Sequence, residues 1–230
     1  MNKDIKIRFI GKDERAPENS LVCAIDVIRA SSTAATALEN GAEKIIAVST
    51  KEQAFELKEK NPDYLIMGEK SGLIIEGFDY GNSPFKINEA DIKGKTLIQK
   101  TAAGTDGIVN NLHAKKVIVG TFLNAEATYN YIEKYIAENE VEYVVFAITN
   151  SYKSAEDVCF ANYISEKLFG NENVKVEPYL EIIRNCKYAT TQPWIETMSK
   201  DVEFLTQVDK FDFVMDVEVV NGFGIIKKLN

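Results

Sequence analysis

The chain has 230 residues, 45% of them hydrophobic, which is enough for a sizeable core and lies outside the compositions of disordered and fibrous chains. Twenty-seven Lys and Arg against thirty-five Asp and Glu leave a formal net charge of −8; this excludes general attraction to nucleic acid or anionic membrane, so an anionic ligand needs a locally positive site or a metal. Three cysteines without CxxC spacing, Cys23, Cys159 and Cys186, give neither a disulfide framework nor a zinc site, the charged N-terminus lacks an export signal, and no apolar run reaches the roughly 18 residues of a membrane span, so a cytoplasmic protein is expected.

Short apolar runs alternate with stretches of helical spacing along the chain. Strands are predicted over Ile5–Phe9 and Leu21–Val27, followed by a helix over Ser32–Asn40. Lys44–Val48 reads as a strand, Lys51–Lys60 as a helix and Tyr64–Met67 as a strand, after which a Gly-rich loop leads to a strand over Thr96–Gln99 and a helix over Thr105–Asn111. Next come strand Val117–Val119, helix Asn124–Glu138, strand Tyr143–Ile148 and helix Ser154–Phe169, then helix Pro178–Arg184 and strand Phe213–Val220. The alternation predicts one α/β domain over residues 1–230, layered α/β/α around a mixed or mostly parallel sheet.

Two segments correspond at an offset of 72 residues, AIDVIRASSTAATALENGAEKIIAVST from Ala24 and TLIQKTAAGTDGIVNNLHAKKVIVGTF from Thr96, with Thr33 falling on Thr105 and Ala42 on Ala114. Each reads strand, small-residue turn, short helix, strand. Any two β-α-β units share that outline, and so would two related halves over about 20–60 and 92–138. Either way, both turns are expected at the C-terminal ends of neighbouring strands, where open α/β sheets bind ligands, and hence facing one another across a cleft.

Four constellations have residue types on which chemistry can rest. Asp26-Val27-Ile28-Arg29-Ala30-Ser31-Ser32-Thr33 places an acid in an apolar strand, then an Arg fork and three hydroxyls where a helix opens. A carboxylate inside such a strand requires a compensating cation, either a metal or Arg29. The stretch from Gly68 to Pro84 is too Gly-rich for a regular helix and carries Glu69, Glu76 and Asp79, hard oxygen donors of the kind Mg²⁺ takes. Lys100-Thr101-Ala102-Ala103-Gly104-Thr105 is the counterpart of the first turn. Finally, Ser154-Ala155-Glu156-Asp157 precedes the apolar stripe Val158, Ala161, Ile164 and Leu168, which suits a capping box as well as a catalytic acid. The chain has no P-loop and no GxGxxG after a strand, and its one histidine, His113, has no evident partner, which speaks against a Ser-His-Asp hydrolase. Trp194 reads as a packing residue.

The segments IDVIRASSTAATALENGA (25–42), GEKSGLIIEGFDYGNSP (68–84), the Gly104-Thr105 turn, FLNAEAT (122–128) and the pair Glu156-Asp157, in order across most of the chain, resemble the 2-phosphosulfolactate phosphatase family. The resemblance implies a compact α/β fold and Mg²⁺-dependent release of phosphate from 2-phospho-3-sulfolactate, a step towards coenzyme M in organisms that make it. Within that frame Asp26, Arg29 and Glu69 are the expected catalytic residues, and Asp26, Glu69 and Asp79 the expected Mg²⁺ ligands. Ser31, Ser32, Thr33, Asn82, Ser83, Lys100, Gly104 and Thr105 are the expected contacts to a small anionic phosphate ester. Three departures stand out: Lys70 where the family usually has Arg, Ala102-Ala103 for a Thr-Asn pair, and Phe146-Ala147-Ile148-Thr149 where Cys-Ala-Gly is usual. They leave a second reading, a non-catalytic anion-binding protein of the same fold. The oligomeric state is open, a homodimer included.

Overall fold

The computed structural model describes residues 5–148, 154–171, 173–190 and 195–229; the packing role expected for Trp194 and the departure at Thr149 lie outside them. In chain order the elements are β1 (Lys6–Gly11), β2 (Ser20–Ile25), α1 (Ala30–Glu39), β3 (Lys44–Ala47), α2 (Lys51–Lys60), β4 (Leu65–Lys70) and β5 (Leu73–Ile74). They continue with α3 (Pro84–Ile87), β6 (Thr96–Lys100), α4 (Gly104–Val109), β7 (Lys116–Gly120), a 3₁₀ turn (Phe122–Asn124), α5 (Ala125–Glu138) and β8 (Tyr143–Ile148). The last third holds α6 (Ala155–Leu168), α7 (Glu177–Asn185), α8 (Lys187–Thr190), α9 (Met198–Leu205), β9 (Val214–Val220) and β10 (Phe223–Leu229).

Local chemistry explains several of these boundaries. Thr50 caps α2 by accepting from the Gln53 amide, while the Gln53 side chain returns to the Thr50 amide, and Lys58 and Lys60 lie at the negative end of the helix dipole. The hairpin β9–β10 turns on Asn221 and Gly222, with φ of +52° and +81°, the left-handed pair that a two-residue type I′ turn demands. Strand β10, absent from the sequence prediction, was therefore signalled by its Asn-Gly turn. Also unpredicted were β5, α3, α8 and α9, all of eight residues or fewer and too short for a clear period.

The strand order is β1-β8-β2-β7-β9-β10-β3-β6-β4-β5. Strands β1, β8, β2 and β7 are mutually parallel, as are β3, β6 and β4, and the antiparallel β9–β10 hairpin joins the two blocks so that they run in opposite directions. The sheet is thus mixed, as expected. Along β2, Leu21, Cys23 and Ile25 enter one apolar cluster with α5, α6 and α7, while Val22 and Ala24 enter another with α1 and α4. In the second block Ile45 and Ala47 face α1, whereas Ile46 and Val48 face Ala54 of α2. Period-two alternation into cores on both faces produces the three layers.

The two corresponding segments pair with each other, β2 with β7 and β3 with β6. Strands β2 and β6 are not neighbours, contrary to expectation; five steps across the sheet separate them and they run oppositely. Their following turns nevertheless meet: the Gln99 side chain donates to Ala30 O (3.1 Å), and a Cβ built on Gly104 would lie 2.4 Å from Ala30 Cβ. The turns reach each other over one face of the sheet, where α1 and α4 pack in a single apolar cluster.

Candidate active site

At the end of β2 the chain folds back on Asp26. Its carbonyl accepts from Ser31 N–H (2.9 Å), its own N–H donates to Ser31 Oγ (2.9 Å), and its carboxylate accepts from Ala30 N–H (3.1 Å). Asp26 is buried, and Gly104 closes over it: a Cβ there would lie 2.6 Å from Asp26 Oδ2. Only glycine permits this approach, so the second turn is shaped to the carboxylate of the first. The hydroxyls expected to bind substrate are used by the chain itself. Ser32 Oγ donates to Val27 O (2.8 Å) and lies 2.7 Å from Thr121 Oγ1, and Thr33 Oγ1 donates to Arg29 O (2.9 Å). Thr105 repeats the Thr33 pattern, its hydroxyl pointing back to Thr101 O (3.4 Å).

Arg29 is the cation nearest Asp26 in sequence, yet its partner is another acid. Its guanidinium pairs with Asp201 (2.8 Å) and donates to Gly72 O (2.9 Å), so the structural alternative of an Asp26–Arg29 pair is replaced by Arg29–Asp201. Asp201, fully buried on α9, also accepts from Ser83 Oγ (2.5 Å), Thr197 Oγ1 (2.7 Å) and Phe85 N–H (3.2 Å). One carboxylate thereby ties the start of α1, the loop from Gly72 and the cap of α3 together. Sequence reading missed it, although Asp201 shares the helical stripe of Met198, Val202 and Leu205, and an acid on an apolar stripe is a signal.

The three predicted metal ligands are not brought together. Glu69 spends its carboxylate on two backbone amides, Gly72 N–H (2.7 Å) and Ala102 N–H (2.6 Å), clamping the loop after β4 to the turn after β6. Asp79 accepts from Ile66 N–H (2.7 Å) and lies 3.4 Å from Lys58, at the opposite end of β4 from Glu69. Among the described residues no group of three or more His, Cys, Asp or Glu side chains is placed to hold a metal. The ammonium of Lys100 donates to Thr101 O (2.8 Å) at the edge of a cleft, and Asn82 is buried with its side-chain oxygen lacking a hydrogen-bond partner.

Asp26 instead shares its surroundings with Glu156. The expected capping box does not form: Ser154 caps α6 without a side-chain bond, and Asp157 accepts from Val27 N–H (2.8 Å), bracing the residue after Asp26. Glu156, at the first turn of α6, is 1% exposed, and its Oε1 has no hydrogen-bond partner. Burial pushes its carboxyl up to about 7; its own backbone amide opposes this, the charge of Asp26 adds to it, and Cys186 and Ser154 pull the other way. The start of α6 is thus tied to the residue after Asp26, and the two buried acids feel one another's charge.

A profile of the family described as 2-phosphosulpholactate phosphatase matches residues 10–220. A protein of Clostridium acetobutylicum named probable 2-phosphosulfolactate phosphatase is 38% identical over 225 residues, covering 97% of this chain and 91% of its own length. Proteins of the same name from Clostridium perfringens and Bacillus subtilis are each 35% identical, over 88% and 84% of this chain and 82% and 85% of their own lengths.

Proposed function

The chain belongs to the 2-phosphosulfolactate phosphatase family, and from that premise we propose that it is a Mg²⁺-dependent hydrolase of a small anionic phosphate monoester, with 2-phospho-3-sulfolactate as the reference substrate. The observation that carries this reading is the buried Asp26 where the two turns meet, with the start of α6 bonded to the next residue through Asp157 and the buried Glu156 beside that bond in sequence, feeling the charge of Asp26. Like charges in a space of low polarity require a proton or a cation between them. Mg²⁺ needs one or two carboxylates, its remaining positions going to waters and substrate phosphate, so Asp26 and Glu156 fit it although the larger set with Glu69 and Asp79 does not form. Bound there, the ion would supply neutralisation of the phosphate charge and polarisation of the bond to the leaving oxygen.

The chain's own residues supply position and proton control. Ala30 N–H holds the Asp26 carboxylate, Gly104 leaves it room, and Glu69 fixes the height of the Ala102 backbone at the wall of the site. Arg29 acts through Asp201 as a positioning residue that anchors the Gly72 loop. Hydrolysis adds water across the ester P–O bond and gives the alcohol and inorganic phosphate.

The test is release of phosphate from an aryl phosphate with Mg²⁺ and with chelator, by the wild type and by Asp26→Asn. We expect Mg²⁺-dependent release by the wild type and a loss of about a hundredfold or more in the variant, in line with removal of a group acting on transition-state charge. The thermal midpoint of Asp26→Asn should stay level or rise, since the amide relieves repulsion with Glu156. Absence of release from any ester by the wild type would favour the anion-binding reading instead, for which Ala102-Ala103 is the sequence argument.

A further inference from the structure

On the face of the sheet that carries α5, α6 and α7, the centre stays open. Strand register and packing put Val214, Asp216, Glu218 and Val220 of β9 on that face, with Ile225, Lys227 and Leu229 of β10. Helix α5 reaches β9 at Val214, and α2 packs over β3, β6 and β4; in the strip between them Glu218, Val220 and Leu229 are exposed. Antiparallel strands can leave one face to water, and the ion pairs Lys116–Asp216 and Lys227–Glu218, each between neighbouring strands, suit that.

Water does not account for the flank of the strip. Helix α5 buries one stripe in the core, Ala125, Thr128, Ile132 and Ile136, and carries a second at the same helical spacing, Ala127, Tyr131, Lys134, Tyr135 and Glu138. The second stripe fronts a groove of about 600 Å³ whose other wall is the base of the hairpin, Asp212, Val214 and Leu229. Tyr131 and Tyr135 are half-buried and stacked, ring centroids 5.8 Å apart, and burial together with the charge of Asp216 pushes both phenols up. Lys134 and Glu138 are exposed, and among the described residues neither forms an ion pair within the chain.

The charges say what kind of partner fits. Lys116, Lys134 and Lys227 stand against Asp212, Asp216, Glu138 and Glu218, so the patch is close to balance in a chain of net charge −8 and does not draw a strongly charged polymer. Lys134 and Glu138 lie about one turn apart on the same stripe, with Tyr135 between them. A twofold axis across α5 therefore sets each Lys134 against Glu138 of the partner subunit, and the aromatic rings against their own kind, which is the self-complementarity an isologous contact requires. Over most of its surface an acidic chain repels its copy; here it is complementary to it.

We infer that the second stripe of α5 and the open base of the β9–β10 hairpin form the interface of a twofold homodimer, the two copies of α5 meeting antiparallel. The inference is independent of the phosphatase reading.

Sedimentation velocity of the full chain tests it, and a dimer is expected at about 10 µM. Lys134→Glu places like charges opposite one another twice and should raise the dissociation constant about a hundredfold or more. Lys134→Glu/Glu138→Lys restores opposite charges across the axis and should restore the dimer. Leu73→Asp, on the exposed edge strand β5, should leave the dimer intact. Both α5 positions are exposed, so circular dichroism and thermal midpoints should stay close to those of the wild type. A monomeric wild type, a dimer indifferent to Lys134→Glu, a dimer lost on Leu73→Asp, or a charge-reversed double variant that stays monomeric would each overturn this interface.

Discussion

At the scale of single residues the buried ionic groups govern behaviour, and they make opposite predictions. Glu156 is held near 7 in the folded chain against an ordinary 4.5. Between those values the folded state binds more protons than the unfolded one, so stability from this group is complete below about 4.5 and falls as pH rises through about 7. The whole effect is on the order of 3 kcal/mol, or several degrees in thermal midpoint. In chelator, the wild type should lose midpoint between pH 5 and pH 8, Glu156→Gln should lose less, and excess Mg²⁺ should shrink the difference by stabilising the ionised form. Equal pH slopes for both proteins would show that Glu156 ionises without cost. Arg29 and Asp201 behave differently, since each is the other's compensation in the interior. Arg29→Ala or Asp201→Ala should cost about 3–5 kcal/mol, with a double replacement by Met and Leu recovering part of it. Denaturant unfolding measures all three, and small single losses would show that water reaches the pair.

Among elements, the meeting of the two turns is the tightest constraint. A methyl group on Gly104 would lie 2.4 Å from Ala30 Cβ and 2.6 Å from Asp26 Oδ2, so Gly104→Ala must push the start of α4 away from the start of α1. The expected cost is about 1–3 kcal/mol, with loss of phosphate release. Adding Ala30→Gly removes the first clash but not the second. The double variant should therefore regain stability while staying impaired, and full recovery of turnover would mean that the approach to Asp26 is incidental. The helix starts themselves were legible as hydroxyl-rich and small-residue turns after strands. Their hydroxyls, at Ser31, Ser32, Thr33 and Thr105, serve the turns rather than an open pocket, because each has a backbone partner within a few residues.

For the whole molecule, the hairpin β9–β10 is what joins two oppositely directed parallel blocks into one sheet, β9 pairing with β7 and β10 with β3. Its strands come last in the chain, so the centre of the sheet cannot close until the C-terminal residues are in place. A chain ending at residue 220 keeps both blocks but loses the seam between them, with Ile225 and Ile226 taken from two cores. It should show no cooperative thermal transition, as followed by circular dichroism. A sharp transition near that of the full chain would show that the blocks are independent.

The order of strands and helices, the α/β layering, the family and the identity of the two facing turns were all written in local pattern: apolar runs, Gly-rich loops, and motifs whose spacing is fixed along the chain. Asp26 and the Glu156-Asp157 pair were visible as acids next to apolar stretches. Tertiary structure decided which charges meet. It gave Arg29 to Asp201, which lies 172 positions away, turned Glu69 towards backbone amides, set Asp79 at the far end of β4 and brought Glu156 to feel the charge of Asp26. Local pattern reports the cost of burying a charge but not its partner, because the partner is set by strand order and by which helices share a face of the sheet, and those are fixed only when the whole sheet closes.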